Sequence, residues 1–392
     1  MSEWKEVELS ELINFGNGKK KPESEGDIPI YGGNGILGFS ADSNYEDETI
    51  IIGRVGAYCG SVYYENKPIW VSDNALAAKA KNGNSTKFLY YFLKNANLNQ
   101  HAGGSSHPLV TQTLLNSLEY EVCIDETEQN SIAEVLSSLD DKIDLLHRQN
   151  QTLEQMAETL FRQWFVEEAE FVSDRQLIIG DLIESVSITH KFPNKEIVFL
   201  NTSDIYLGDV LTHSTTEVIG LPGQAKKTIK KGDILFSEIR PANGRYAFID
   251  FEAENYVVST KLMVLRNKNV VSQEFIYFYL INPKTIQELQ LIAESRSGTF
   301  PQITFDNLKD FRVNVPSDEK LLEAESFCKE VIKKIKSNQT QIRTLTALRD
   351  TLLPKLMNGE VRVQSQRDET FVEKQTTTNP SSVGAIQNEN HG

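Results

Sequence analysis

The chain has 392 residues, 39% of them hydrophobic, enough for two or three domains with real cores. It opens M-S-E-W-K-E-V-E-L-S-E without an apolar signal core, has no apolar run long enough for a bilayer, and carries three scattered cysteines (Cys59, Cys123, Cys328). These features exclude a secreted disulfide scaffold and a helical membrane protein, and lead us to expect a reduced, cytoplasmic setting. The formal net charge of -15 argues at first against a nucleic-acid binder, yet it is unevenly spread. Residues 124–170 carry 12 acids against 3 bases, residues 319–363 carry 6 against 9, and residues 171–318 are near neutral, with 18 against 16.

In chain order, residues 1–123 read as a globular α+β domain. A strand-like run, Thr49 to Gly53, sits among Gly- and Asn-rich turns. A short aromatic helix is expected over 87–93, then a polar loop, H-A-G-G-S-S-H (101–107), then a strand. Residues 124–170 read as one long helix with a sustained 4-3 apolar stripe. Its members are Ile132, Leu136, Leu139, Ile143, Leu146, Asn150, Leu153, Ala157, Leu160 and Trp164. Residues 171–318 form a second α+β domain, with strands expected from Ile234 to Phe236 and from Tyr256 to Val258, and an aromatic helix over 275–280. Residues 319–363 give a second long helix striped by Ala324, Cys328, Val331, Ile335, Asn338, Ile342, Leu345, Arg349, Leu352 and Leu356. From 364 to 392 the composition turns to Gln, Thr, Asn, Ser and Glu without apolar period, and disorder is expected.

The halves are copies. Shifted by 187 residues, V-S-D-N-A-L-A-A-K-A-K-N (71–82) falls on V-S-T-K-L-M-V-L-R-N-K-N (258–269). Shifted by 193, P-L-V-T-Q-T-L-L (108–115) falls on P-Q-I-T-F-D-N-L (301–308), and a shift of 192 superposes Glu158-Thr159-Leu160 on Asp350-Thr351-Leu352. Three matches in one order at nearly one offset mean a tandem duplication with a pseudo-two-fold.

Each apolar stripe seeks a partner helix, and the acidic copy suits the basic one. Parallel pairing would set Asn150 beside Ile342. Antiparallel pairing sets Ile132 against Leu356, Ile143 against Leu345 and Asn150 against Asn338, so that each amide meets an amide. We therefore expect an antiparallel coiled coil. A stripe of 33 residues would make a rod roughly 50 Å long at ~1.5 Å per residue. Two unlike heads on such a rod suit a duplex, whose successive half-sites lie ~34 Å apart. The natural target is a bipartite, asymmetric DNA site with an unread spacer.

Enzyme chemistry finds little support. Gly33-Asn34-Gly35-Ile36-Leu37-Gly38 fits G-x-G-x-x-G, but the polar F-S-A-D-S-N-Y that follows makes a poor helix, so a turn-rich loop near DNA is the better reading. The sequence shows no G-x-x-x-x-G-K-[S/T] phosphate loop, no Asn-Pro-Pro-aromatic element and no H-E-x-x-H. Asp140-Asp141 reads as a solvated helix face, and Asn282-Pro283 as the end of the aromatic helix. No catalytic or metal-binding residue is expected.

The DNA-contact candidates are bases and small polar loops. In the first copy these are Lys20 in a three-lysine cluster, Arg54 and Tyr58 after a strand, and Ser105 and His107 in the polar loop. In the second they are Lys226, Lys227 and Lys231, then Arg240, Asn243 and Arg245 at the place of Arg54, then Arg296 and Thr299 in the corresponding Gly/Ser loop. Lysines are expected to hold phosphates, and Arg and Asn to read bases.

Four elements resemble the specificity subunit of type I restriction-modification enzymes. These are L-L-P-K-L-M-N-G-E-V (352–361), L-F-R-Q-W-F-V (160–166), I-P-I-Y-G-G-N-G-I-L-G (28–38), and a Pro-x-[I/V]-Thr-x-x-x-Leu pattern after each Gly/Ser loop. The resemblance covers about residues 1–363. It implies two target-recognition domains separated by two long helices conserved in the family, and a subunit without catalysis of its own. It implies no cofactor on this chain. Double-stranded DNA, two methylation subunits carrying S-adenosylmethionine, and motor-nuclease subunits using ATP and Mg would be its partners, with no membrane. A departure is visible before each helix, D-E-T-E-Q without prolines and P-S-D-E-K without Gln, so the helix start is expected within a one-turn window. Two other readings stay open: a fragment of a self-sufficient DNA methyltransferase, and a two-lobed protein adaptor.

Overall fold

A computed structural model describes residues 4–103, 108–167, 176–296, 300–315 and 317–363. The tail expected to be disordered, 364–392, lies outside the described residues. The chain divides into two compact units, one of residues 1–143 and 343–392, the other of residues 144–342. Among the described residues no helix is long and apolar enough to cross a membrane.

The first unit contains β1 (Trp4–Glu8), β2 (Ile13–Asn17), β3 (Ile28–Gly32), β4 (Gly35–Ser40), β5 (Thr49–Gly53), β6 (Val62–Glu65), β7 (Trp70–Val71), β8 (Ala75–Ala80) and β9 (Glu119–Cys123). They form a four-stranded sheet β2-β8-β5-β6, a three-stranded sheet β4-β3-β7, and the antiparallel pair β1-β9. The central strand β5, T-I-I-I-G, is buried throughout, which its run of β-branched residues dictates. The helix Thr86–Asn95 starts at a Ser85 side chain that accepts from Phe88 N–H, and buries Phe88, Leu89, Tyr91, Phe92 and Leu93.

The second unit contains β10 (Gln176–Ile178), β11 (Ile183–Ser185), β12 (Glu196–Leu200), β13 (Ile205–Tyr206), β14 (Asp209–Val210), β15 (Thr216–Glu217), β16 (Ala225–Thr228), β17 (Ile234–Ser237), β18 (Tyr246–Phe248), β19 (Tyr256–Ser259), β20 (Leu262–Asn267) and β21 (Arg312–Asn314). The duplication survives in the topology. The sheet β11-β20-β17-β18 repeats β2-β8-β5-β6, β10-β21 repeats β1-β9, and the parallel pair β12-β19 repeats β3-β7. Three additions mark the second copy: the hairpin β13-β14, the edge strand β16 on β19, and a helix Pro283–Arg296 that follows the aromatic helix Gln273–Ile281. Pro283 does end the first helix, and it also opens the next. Its fixed φ and missing N–H suit a first helical position, a use that sequence reading missed.

The long helices run Glu126–Arg162 and Asp318–Met357, and each contributes to both units. In the first unit Ile132 and Leu136 share a core with Leu356, with Leu352 packed beside it. There Arg349 donates to Asp140 at 2.7 Å. In the second, Asn338 Nδ2 donates to Asn150 Oδ1 at 2.8 Å, while Trp164 packs edge-on to Phe327 and under the Lys320 ammonium at 4.9 Å. Partner numbers fall as the first helix advances, so the pairing is antiparallel in each unit. The fold is α+β, two globular domains with two long helices paired as an antiparallel coiled coil.

Within the seam Leu146 and Ile335 are buried. Leu139, Ile143, Leu153, Leu160, Ile342 and Leu345 are half-buried. Asn150 and Asn338 are buried, and Asn338 Oδ1 has no partner among the described residues. The reading of Asp140 as a solvated acid needs correction. Its carboxylate accepts from Tyr91 Oη at 2.8 Å and from Arg349, because the aromatic helix packs over the seam at that point. The first helix also ends differently from its stripe. It passes into a π-helical turn, Gln163–Glu167, and Phe161, Trp164 and Phe165 all enter the core of the second unit against Phe275 and Tyr279.

Candidate nucleic-acid interface

In the first unit Arg54 follows directly on β5. Its backbone is held from two sides: Arg54 N–H donates to Asn74 O at 3.0 Å, and Val110 N–H donates to Arg54 O at 3.0 Å. Gly56 N–H donates to Pro108 O at 3.2 Å, and Val55 bridges Leu109. The Arg loop and the segment 108–110, where a strand is expected but only isolated bridges at Leu109 form, are therefore stapled together. Asn99 Nδ2 reaches Cys59 O at 2.7 Å, and Ser61 Oγ donates to Gly33 O at 2.6 Å, drawing in two further segments. Gly60 has φ 83° and stands so close to Asn99 that a Cβ would lie 2.5 Å from its backbone nitrogen, so only glycine fits. Arg54 is half-buried, its Nε has no partner among the described residues, and Tyr58 beside it is exposed. Lys20 is exposed, in a segment bound to the sheet through Lys19 N–H and Val71 O at 2.9 Å. Ser105 and His107 lie outside the described residues.

The second unit repeats the staple. Arg240 N–H donates to Pro301 O at 3.1 Å, Ile239 bridges Gln302, and Ile303 N–H donates to Glu238 O at 2.8 Å. Pro301 is the sequence counterpart of Pro108. Arg240 itself sits in the left-handed region, φ 44° and ψ 78°, as does Gly244 at φ 66°. A non-glycine residue there costs of order 1 kcal/mol and persists only where its surroundings hold it. Here Gln290 Oε1 accepts from Ala242 N–H at 3.1 Å and Gly244 O from Leu207 N–H at 2.8 Å. Arg240 and Asn243 are exposed, and the Arg240 guanidinium has no partner among the described residues. Arg296 ends its helix exposed, just before residues 297–299, and Thr299 lies outside the described residues.

Two of the expected contacts are engaged within the fold. Lys227 is half-buried and its ammonium donates to Thr260 O at 3.0 Å and Leu262 O at 2.7 Å, burial holding its pKa below the usual lysine value. It ties β16 to the turn between β19 and β20. Arg245 donates to Ser203 O at 3.2 Å and Ile205 O at 3.0 Å and stacks over Tyr206 at 5.1 Å, so it secures the added hairpin. Lys231 is exposed but lies 3.3 Å from Glu252, whereas Lys226 is exposed on the edge strand β16.

Sequence reading also missed a signal. The segments 28–41, 49–64 and 95–118 contain no Asp or Glu, although the chain has 55 acids. The hydrogen bonds above bring these three segments together around Arg54. A surface cleared of carboxylates suits a polyanion.

Comparison with known proteins decides the family. The model for the type I restriction modification DNA specificity domain matches residues 1–155 and again residues 177–347. The chain belongs to that family. The double match coincides with the duplication. The type I restriction enzyme HindI specificity subunit of Haemophilus influenzae is 49% identical over 149 residues, 37% of this chain and 32% of that subunit. The MjaIX specificity subunit of Methanocaldococcus jannaschii is 24% identical over 336 residues, 78% of this chain and 76% of that one. Among solved structures, the type I restriction-modification S subunit from M. genitalium aligns with a TM-score of 0.66 at 18% identity, covering 91% of this chain and 96% of that one. At that identity the likeness shows the fold.

Proposed function

We propose that this specificity-family chain reads a bipartite, asymmetric DNA sequence, one half-site per unit, and scaffolds the methylation and nuclease subunits of a type I complex without catalysing either reaction. The observation that supports it best is the staple found twice. In each unit an arginine-bearing loop is fixed, backbone to backbone, to a proline-led segment, 108–110 in the first and 301–303 in the second. Rigid scaffolds presenting such loops are what base readout requires, because an unfixed Arg forfeits much of its binding in ordering entropy. In this reading Arg54, Arg240 and Asn243 address base edges, Lys20, Lys226 and Arg296 address phosphates, and the paired long helices set an unread spacer. S-adenosylmethionine and ATP with Mg would be held by the partner subunits, two for methylation and others for the motor-nuclease, in the cytoplasm.

The test is selection of duplexes from a random pool by the full chain co-expressed with the methylation subunits of its host. The expected product is a two-part motif with a spacer of fixed length. Exchanging residues 1–123 for those of a relative with another specificity should change one part and leave the other. No enriched motif, or an exchange that alters both parts, would overturn the reading.

A further inference from the structure

The first unit carries an apolar surface that its own fold leaves uncovered. Among the described residues of its globular part, the large apolar side chains left exposed are Ile36 (51%), Leu37 (47%), Phe39 (57%), Val55 (40%) and Tyr58 (53%). They come from β4 and from the Arg54 loop, and the turn at Gly33 joins the two. Ser61 Oγ donates to Gly33 O, and a Cβ on Gly33 would lie 3.7 Å from Gly53 Cα. β4 is an edge strand, a position that soluble proteins usually guard with charge, yet G-I-L-G-F-S carries none. Its register shifts at Ile30/Tyr31, which makes Leu37 the extra residue, and Leu37 lies over the space that a Gly32 side chain would fill.

An uncovered patch of this size marks an interaction site. Its surroundings select the occupant. The segments that meet here lack carboxylates, Arg54 stands within them, and Lys19, Lys20 and Lys21 are exposed alongside. The Lys21 ammonium lies 3.4 Å from where a Gly38 Cβ would be, directly beside the apolar strand. The flanking acids Asp27 and Asp42 stand at the open end of the hairpin, beyond the Ile28–Ser40 pair, and apolar side chains with cations beside them toward the turn suit a nucleic acid. A two-stranded ribbon fits the major groove, where thymine methyls and base edges offer apolar contact.

We propose that the β3-β4 hairpin is a DNA-reading ribbon, in which Ile36, Leu37 and Phe39 make apolar contact with bases while Lys21 holds the flanking phosphate. The proposal rests on the DNA reading given above and adds the residues that discriminate sequence in the first half-site.

The experiment uses the full chain assembled with its methylation subunits and a duplex bearing the sequence methylated in the host. Affinity is measured between 50 and 200 mM salt, the range over which phosphate contacts show their salt dependence. The variant Ile36→Ser/Leu37→Ser/Phe39→Ser should bind the duplex at least ~10-fold more weakly at every salt concentration, with the slope of log K against log salt unchanged, since no cation is lost. Lys21→Gln should flatten that slope by about one. The proposal is overturned if the triple variant binds normally. It is also overturned if that variant binds DNA normally but fails to co-purify with the methylation subunits, which would make the patch a protein-docking surface. A wild-type complex that shows no preference for the methylated sequence would instead remove the DNA reading itself, and the hairpin assignment with it.

Discussion

The Asn150–Asn338 pair gives the sharpest test of the paired helices. One hydrogen bond of 2.8 Å joins the two amides, and Asn338, fully buried, keeps its Oδ1 unsatisfied. Asn338→Leu leaves Asn150 Oδ1 without its donor and should destabilise by about 1–3 kcal/mol. Asn150→Leu leaves the fully buried Asn338 with its Oδ1 unmet and its Nδ2 only the long 3.5 Å contact to Gln149 Oε1, so its cost should be the larger, toward 3 kcal/mol. The double Leu variant removes all of these groups at once. It should be more stable than either single variant and at least as stable as the wild type, because the native pair leaves one buried acceptor unmet. The coupling would then be of the opposite sign to the sum of the single costs, by several kcal/mol. Urea unfolding followed through Trp164, which packs in the same unit, reports these energies. If either single substitution stabilises, or if the double variant costs the sum of the two, the amides are not paired in an apolar seam and the argument fails.

Further outcomes are expected. Arg240→Gly should raise stability by about 1 kcal/mol by relieving the left-handed strain, whereas Arg240→Ala should leave stability unchanged. Both should weaken cognate binding by about 1–3 kcal/mol without affecting random duplex, and a Gly variant that melts lower would refute the strain. Arg349→Met keeps the aliphatic stem but strips Asp140 of its cation, and should lower the urea midpoint by the equivalent of about 1–2 kcal/mol. An unchanged midpoint would mean that the ion pair is incidental. Burial pushes the thiols of Cys123 and Cys328 up to about 12 from an ordinary value of 9.0. The folded chain thus keeps protons that the unfolded chain releases above pH 9, so stability is full below that pH and falls as pH rises. For Cys328 the loss at pH 10 is about 1.4 kcal/mol. Thermal melts at pH 8 and pH 10 check the sign, and an equal or higher melting temperature at pH 10 would contradict it.

Much of the architecture is legible in the amino-acid sequence. A heptad stripe is a local periodicity, and one amide in each stripe discriminates between parallel and antiparallel pairing, so spacing alone sets Asn150 against Asn338. The duplication is equally plain, because β8 and β20 keep one offset, 187 residues, without a gap. The fate of individual cations is not legible. Lys226 and Lys227 are neighbours in a lysine-rich run, yet Lys226 is exposed while Lys227 donates to two carbonyls. Arg245 resembles Arg54 by position, but the hairpin β13-β14, which has no counterpart in the first copy, brings carbonyls for it to bind.

The division follows from range. Strand and helix patterns, the repeat and the seam register depend on residues a few turns apart or on one matched contact, so the order of residues is enough to specify them. Whether a charge faces solvent or a carbonyl depends on which backbone the fold lays across it. Lys227 meets carbonyls at Thr260 and Leu262, and the edge strand β4 is left with Ile36 and Phe39 uncovered. Those outcomes belong to the packed molecule, because alternation along a strand says which residues share a face but not whether anything covers it.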